Sequence, residues 1–274
     1  MPNISSRKQV FEDFVEHEHE FDRILHLSMD GMIHLASSVK LAEAVSGLNR
    51  LDDPSIDVTS EEKRLEGIRT RARFATEEIK RGYPVLHAHA VIALWGSLEN
   101  LIFNLAVAWL RDDPSLLTDD RFASLKISFS EFTLLDEDER IAYLVSEVSR
   151  RLKVEFQAGV SRFESLLDLV GMAGPVPEDT RKVLFEMFHI RNVLAHRAGI
   201  ADKRFCKQCP WRSEKRGARI MLNYTDYLRF RRSIETYVVE LITRDLIRQG
   251  RTREEAVAHI KNRFSTAIPD HDGA

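Results

Sequence analysis

Cysteine is nearly absent. Cys206 and Cys209 are the only two in 274 residues, so no disulfide framework can hold the chain together. They are spaced as C-x-x-C, which is half of a zinc site, and no second such pair completes it. Zinc there would need histidines or a second copy of the chain, so no metal and no cofactor are expected. A dominant charge of one sign is also missing. The net charge of -3 argues against a strongly basic nucleic-acid binder and leaves room only for a local basic patch. No apolar leader opens the chain: Met1–Ser6 is mostly polar and Arg7-Lys8 follows. The expectation is a cytoplasmic, reduced protein. One apolar run, 85–110, is long enough to raise the question of a membrane span. Glu99, Asn100 and Asn104 fall inside it, where a bilayer would make them costly, so a buried core helix and no membrane are expected.

The chain does have the material for a core. Hydrophobic residues make up 43% and charged residues 30%, the balance of a globular protein with an ordinary solvated surface. The length suits one large domain, or one domain with a helical appendage.

Taken in order, the pattern is helical almost throughout. Val10, Phe14, Phe21, Leu25 and Ile33 stand among charged residues over 5–50, as one long helix or as two broken near Met29-Asp30-Gly31. His17-Glu18-His19-Glu20 invites a metal reading, but the residues alternate around a helix and read better as a solvated face. Asp52-Asp53-Pro54-Ser55 is a turn, and Asp112-Asp113-Pro114-Ser115 repeats its chemistry. A charged helix runs from a cap at Ser60 to about Arg81, where Gly82 and Pro84 end it. The central apolar helix, 84–111, carries Val91, Leu94, Trp95, Leu98, Leu101, Ile102, Leu105 and Trp109 down one face. His87 and His89 in its first turn read as hydrogen-bonded or partly exposed histidines. Glu99 within it needs a partner if it is buried, and Arg191 is the obvious candidate; otherwise it faces solvent. Helix and strand are equally open for 122–135. Further helices follow at 136–153 and 156–170, then a Gly/Pro loop at 171–177. The last long helix covers 223–249, a shorter one 252–264, and 267–274 reads as a disordered tail.

The stretch from Phe188 to Arg197 stands out. Val183, Leu184, Met187, Ile190 and Leu194 form a buried helical stripe, and Arg191, Asn192 and His196 interrupt it just before the stop at Gly199. His189, Asn192 and His196 share one helical row. Arg191 lies about 140° around the helix from His196. One straight helix therefore cannot aim both at one phosphate. Either it distorts near Ala195, or a second copy of the chain completes the site. An Arg and a His at a helix end also simply cap carbonyls and suit its dipole. After Gly199, an irregular segment with room for β structure carries Lys203, Arg204, Lys207 and Arg212, with Phe205 and Trp211 interleaved. Cations with aromatics suit a sugar–phosphate backbone and unstacked bases, and a solvated charged loop has the same composition.

Arg191-Asn192-Val193-Leu194-Ala195-His196, placed late on a core helix, resembles the motif of the HEPN superfamily. An earlier apolar helix with an acidic residue, Trp95-Gly96-Ser97-Leu98-Glu99-Asn100, adds to the likeness, which spans about 84–249. The resemblance implies an all-α helical bundle as a domain over 83–250; outside it, the residue pattern gives an N-terminal helical extension over 1–82 and a C-terminal helix and tail over 251–274. The resemblance also implies a metal-independent endoribonuclease in which Arg191, Asn192 and His196 are catalytic, Glu99 and His189 support them, and two copies share one cleft. The implied partners are RNA, a second copy of the chain and an antitoxin or antiphage-defence component. Some members of that superfamily are non-catalytic binding modules, which is the alternative expectation.

Overall fold

The computed structural model describes residues 6–53, 55, 57–154 and 158–264; the expected tail at 267–274 lies outside the described residues. The chain forms twelve described α-helices. They are α1 (Ser6–Ser37), α2 (Val39–Asp52), α3 (Val58–Lys80), α4 (Pro84–Asp112), α5 (Asp120–Ala123) and α6 (Phe129–Leu134), with a 3₁₀ turn at Pro114–Thr118. After these come α7 (Glu137–Val154), α8 (Val160–Asp168), α9 (Glu178–His196), α10 (Lys203–Gln208), α11 (Tyr224–Arg248) and α12 (Arg253–Phe264). The protein is an all-α bundle, and the one β feature among the described residues is an antiparallel bridge between Ile200 and Arg219.

The bundle is built around α4. Trp95, Leu98, Ile102, Leu105 and Leu110 of this helix are fully buried, and α1, α7, α8, α9 and α11 pack against it. Among the described helices α4 is the one long and apolar enough to cross a membrane, and most of it is enclosed by its neighbours. Its start is held by the preceding turn. Gly82 and Tyr83 take left-handed backbone angles, and the buried Glu78 carboxylate accepts from the Val85 amide at 2.9 Å. That bond satisfies one of the amides a helix start leaves without a partner. His87 is fully buried, with Nδ1 3.0 Å from the Gly82 carbonyl, and His89 is exposed.

Several local expectations shift. The break in the first helix falls at Ser38, not at Gly31. Gly31 is exposed and costs only its weak helix preference. The Ser37 and Ser38 hydroxyls instead bond back to the carbonyls of His34 and Leu35, both at 2.9 Å, and compete with the helix ladder there. The cap of α3 is Asp57, whose side chain accepts from the Thr59 amide, and Ser60 lies inside the first turn. Within residues 122–135 the regular pieces are helical, the end of α5 and the whole of α6, joined by an irregular stretch over 124–128. The two Asp-Asp-Pro-Ser turns do share one device: Asp53 and Asp113 accept from the amides of Ser55 and Ser115, at 2.9 and 3.2 Å.

Phe11, Phe14 and Leu25 of α1 belong to the same apolar core as α4, whereas the buried Leu65, Ala72 and Ala75 of α3 stand apart from that core. The first turn of α1 is fastened further. Arg7 pairs with Asp112 and, at 3.1 Å, with Asp245. Its guanidinium lies 3.9 Å from the centre of the Trp109 ring, and that of Arg248 lies 4.0 Å from it. The Trp109 ring thus takes cation–π contacts from both guanidiniums.

Glu186 is an acid on the inner side of α9, only 2% exposed. It accepts from Trp211 Nε1 at 2.6 Å and from Arg212 at 3.5 Å, and it pairs with Arg229 of α11. Arg212 also holds Glu214 and, at 3.0 Å, Asp226. Glu186→Ala would leave Trp211 Nε1 without its acceptor and take one carboxylate from Arg212 and Arg229, which keep Glu214 and Asp226. Because both cations stay paired and Arg229 is more than a third exposed, the expected loss is about 2 kcal/mol, below the range for an unpaired buried charge. Urea unfolding of the variant against wild type measures it.

Candidate functional site

α9 carries the candidate residues, and its sequence explains their placement. Leu184, Met187, Ile190 and Val193 face the core, which turns Arg191 toward α4 and α8. The helix stops through left-handed residues at Ala198 (φ 50°) and Gly199 (φ 76°), with the Arg197 and Gly199 amides both donating to the Val193 carbonyl. His196 therefore sits in the exposed last turn.

Arg191 Nη2 donates to Glu99 Oε2 at 3.3 Å, the partnership the sequence pointed to for that carboxylate. Arg191 Nη1 reaches Asn192 Oδ1 at 3.2 Å, and Arg191 Nε is buried without a protein partner. The other oxygen of Glu99 accepts from Arg162 Nη1 of α8, also at 3.2 Å. One carboxylate thus bridges two guanidiniums. All three side chains remain between 21% and 26% exposed, at the wall of a cleft of about 520 Å³ bounded by α4, α7, α8 and α9. Arg150, Ser146 and Ser149 of α7 line the same cleft. Burial holds the Arg162 guanidinium below its ordinary range, with Glu99 opposing and Arg191 adding to the shift.

The other expected residues scatter. His196 does not line the cleft, and none of the described residues hydrogen-bonds its ring. Within one chain Glu99, Arg191 and Asn192 are joined by hydrogen bonds, while His196, one turn beyond Asn192 and about 140° around the helix from Arg191, takes no part in them. His189 is only 5% exposed and packs between Phe185 and Phe188, so it takes no place on the solvent-facing row with Asn192 and His196. Burial, helped by Arg204 and opposed by Asp202, pushes its pKa down to about 4. Burial therefore favours its neutral form at neutral pH, so it holds no extra proton there to hand on.

That shift has a pH signature. In the unfolded chain a histidine titrates near 6.5. Between about 6.5 and 4 the unfolded state holds a proton that the fold rejects, so stability falls as pH drops through this window. His189→Leu should narrow the gap between urea midpoints measured at pH 7.5 and pH 5. An unchanged gap would show that His189 is not the group responsible.

The segment after α9 also divides. Lys203, Arg204 and Lys207 lie on α10, capped by Asp202, and are exposed. Arg212 is taken up by Glu186, Glu214 and Asp226, and Trp211 Nε1 by Glu186, while the Trp211 ring stays 43% exposed. Cys209 is buried, and its thiol is pushed up to about 12, by burial first and then by Glu186. Cys206 donates to the Glu214 carbonyl. No group of three His, Cys, Asp or Glu side chains among the described residues is arranged for a metal ion.

Sequence reasoning missed Arg162 and Glu186. Arg162 pairs with a residue 63 positions away, so no local spacing marks it. No family model matches the chain, and no curated protein or solved structure matches it.

Proposed function

We propose that the chain is a metal-independent endoribonuclease of the HEPN type, acting as a homodimer on single-stranded RNA. The observation that carries this reading is the disposition of α9. Its arginine is fixed by Glu99 at the wall of an open cleft, and its histidine stands uncommitted one and a half turns on. Arg191 of one protomer and His196 of its partner face one phosphate. The ribose 2′-oxygen attacks phosphorus as its proton passes to a base, and the P–O5′ bond breaks as the 5′-oxygen takes a proton. Histidine titrates where it can serve either transfer. The guanidinium offers paired donors to the oxygens on which charge accumulates. Asn192 steadies Arg191, and Lys203, Arg204 and Lys207 attract the strand. A toxin or antiphage role, with an antitoxin or defence partner, follows from the same resemblance.

A second reading is a non-catalytic module that binds RNA or a protein partner. It is favoured by one specific observation: Arg191 is already engaged by Glu99 and Asn192 within its own chain. Incubating the purified protein with single-stranded RNA in excess EDTA separates the two. The nuclease yields fragments ending in 2′,3′-cyclic phosphate. Intact RNA, or cleavage that EDTA abolishes, overturns it.

A further inference from the structure

The cleft beside Arg191 has more positive charge than the chemistry just described uses. Arg150, Arg162 and Arg191 line it, against the single carboxylate of Glu99. Arg150 is partnered by Glu147 of its own helix, which leaves Arg162 and Arg191 sharing one acid. The two bonds to that acid, 3.2 and 3.3 Å, are longer than the roughly 2.7–2.9 Å of strong charge-assisted pairs. Each guanidinium gives Glu99 one N–H rather than the two-toothed grip it can make. Glu99 holds each guanidinium by one contact and leaves N–H donors on both arginines for phosphate oxygens. Ser146 and Ser149 add hydroxyl groups to the same wall. The volume, about 520 Å³, is within the usual range of ligand sites.

We infer that this cleft is a phosphate subsite for the nucleic-acid strand, in which Arg162 holds a backbone phosphate neighbouring the one cleaved, through the donors that Glu99 leaves open. The inference rests on the proposed RNA substrate and adds a binding residue from α8. In the composite site the imidazole comes from the partner protomer and Arg191 takes the scissile phosphate; Arg162, bonded to the opposite oxygen of Glu99, stands beside it and holds the adjoining one. Arg162 is a binding residue, so its loss should raise KM and leave kcat nearly intact.

The test uses the full-length protein, a fluorescent 2′-O-methyl RNA oligonucleotide that cannot be cleaved, and EDTA throughout. Anisotropy gives Kd across a salt series. Losing one phosphate contact on a single strand should flatten the slope of log Kd against log salt by about 0.7. Arg162→Gln should show this flattening and bind about tenfold more weakly, in line with one lost charged contact. Arg162→Lys should keep the slope, and Arg73→Gln on the exposed face of α3 should change nothing. Ser149→Asp, which leaves the Glu99 bridge intact, should weaken binding as well, and it serves if Arg162→Gln fails to fold. Wild-type slope and affinity in the folded variants overturn the inference, as does the absence of oligonucleotide binding in wild type. Adenosine monophosphate binding as tightly as the oligonucleotide would overturn the assignment to a strand. The two proposals fail separately. Cleavage by wild type with an unaltered Arg162→Gln slope removes the subsite alone. An Arg162-dependent slope without any cleavage removes the nuclease alone.

Discussion

Gly159→Ala should cost the protein about 3–5 kcal/mol, roughly 10 °C in Tm for a chain of this size. Gly159 caps α8 at φ 63° and ψ -140°, a region in which a side chain is strained wherever it points. Space is lacking as well. An added Cβ would lie 2.8 Å from the Phe185 Cα and 3.2 Å from its nitrogen, and this obstacle is the backbone of α9, not a side chain that can turn away. Relief would require α8 and α9 to separate, which would pull Arg162 and Arg191 off their shared carboxylate. Gly217→Ala is the control. Its φ is 85°, but an added Cβ meets nothing within 4 Å, so strain alone should cost about 1 kcal/mol. Thermal unfolding of the pair separates collision from strain. Equal losses would mean that the approach of the two helices carries no weight.

His196→Ala should lower RNA cleavage by about 10²–10⁴-fold, the usual range for losing a positioned proton-transfer group. Arg191→Ala should lower it by about 10²–10³-fold, as for a lost oxyanion donor. The sharper expectation concerns mixtures. If arginine and histidine are drawn from different protomers, a dimer of His196→Ala with Arg191→Ala has one complete site and one that lacks both groups. Random pairing of equal amounts by co-expression makes half the dimers mixed, so about a quarter of wild-type activity should return. With both groups drawn from the same protomer, the mixture stays as inactive as its parts. Product yield from co-expressed, singly tagged chains distinguishes these results. Equal cleavage by His196→Ala and wild type would remove the imidazole from the reaction altogether.

The parts of the molecule that were legible in advance are those governed by nearest neighbours along a helix. The stripe Val183, Leu184, Met187, Ile190, Leu194 announced α9, although Val193 and not Leu194 is the residue buried in its last turn, and the long run ending at Trp109 announced α4, because burial repeats at the helical period. The partnership of Glu99 with Arg191 could be named because an acid in an apolar helix must be satisfied and few cations were placed to do it. What escaped depended on distance in the chain. Arg162 looks like any surface arginine on a short helix until α8 is laid against α4. Trp211 and Arg212 read as a nucleic-acid surface because composition shows cations and aromatics without showing what they touch. The buried Glu186 that claims them is one charged residue in an amphipathic helix, and nothing local distinguishes it from an outward-facing glutamate. Ser60 and Gly31 mislead for a related reason: several residues nearby had the chemistry to start or stop a helix, and tertiary context chose among them.

Through its two cation contacts Trp109 ties the opening turn of α1 to the closing turn of α11, although more than two hundred residues of chain lie between them. A pull on the start of α1 or on the end of α11 therefore loads the same aromatic contact, and releasing one guanidinium loosens the seat of the other.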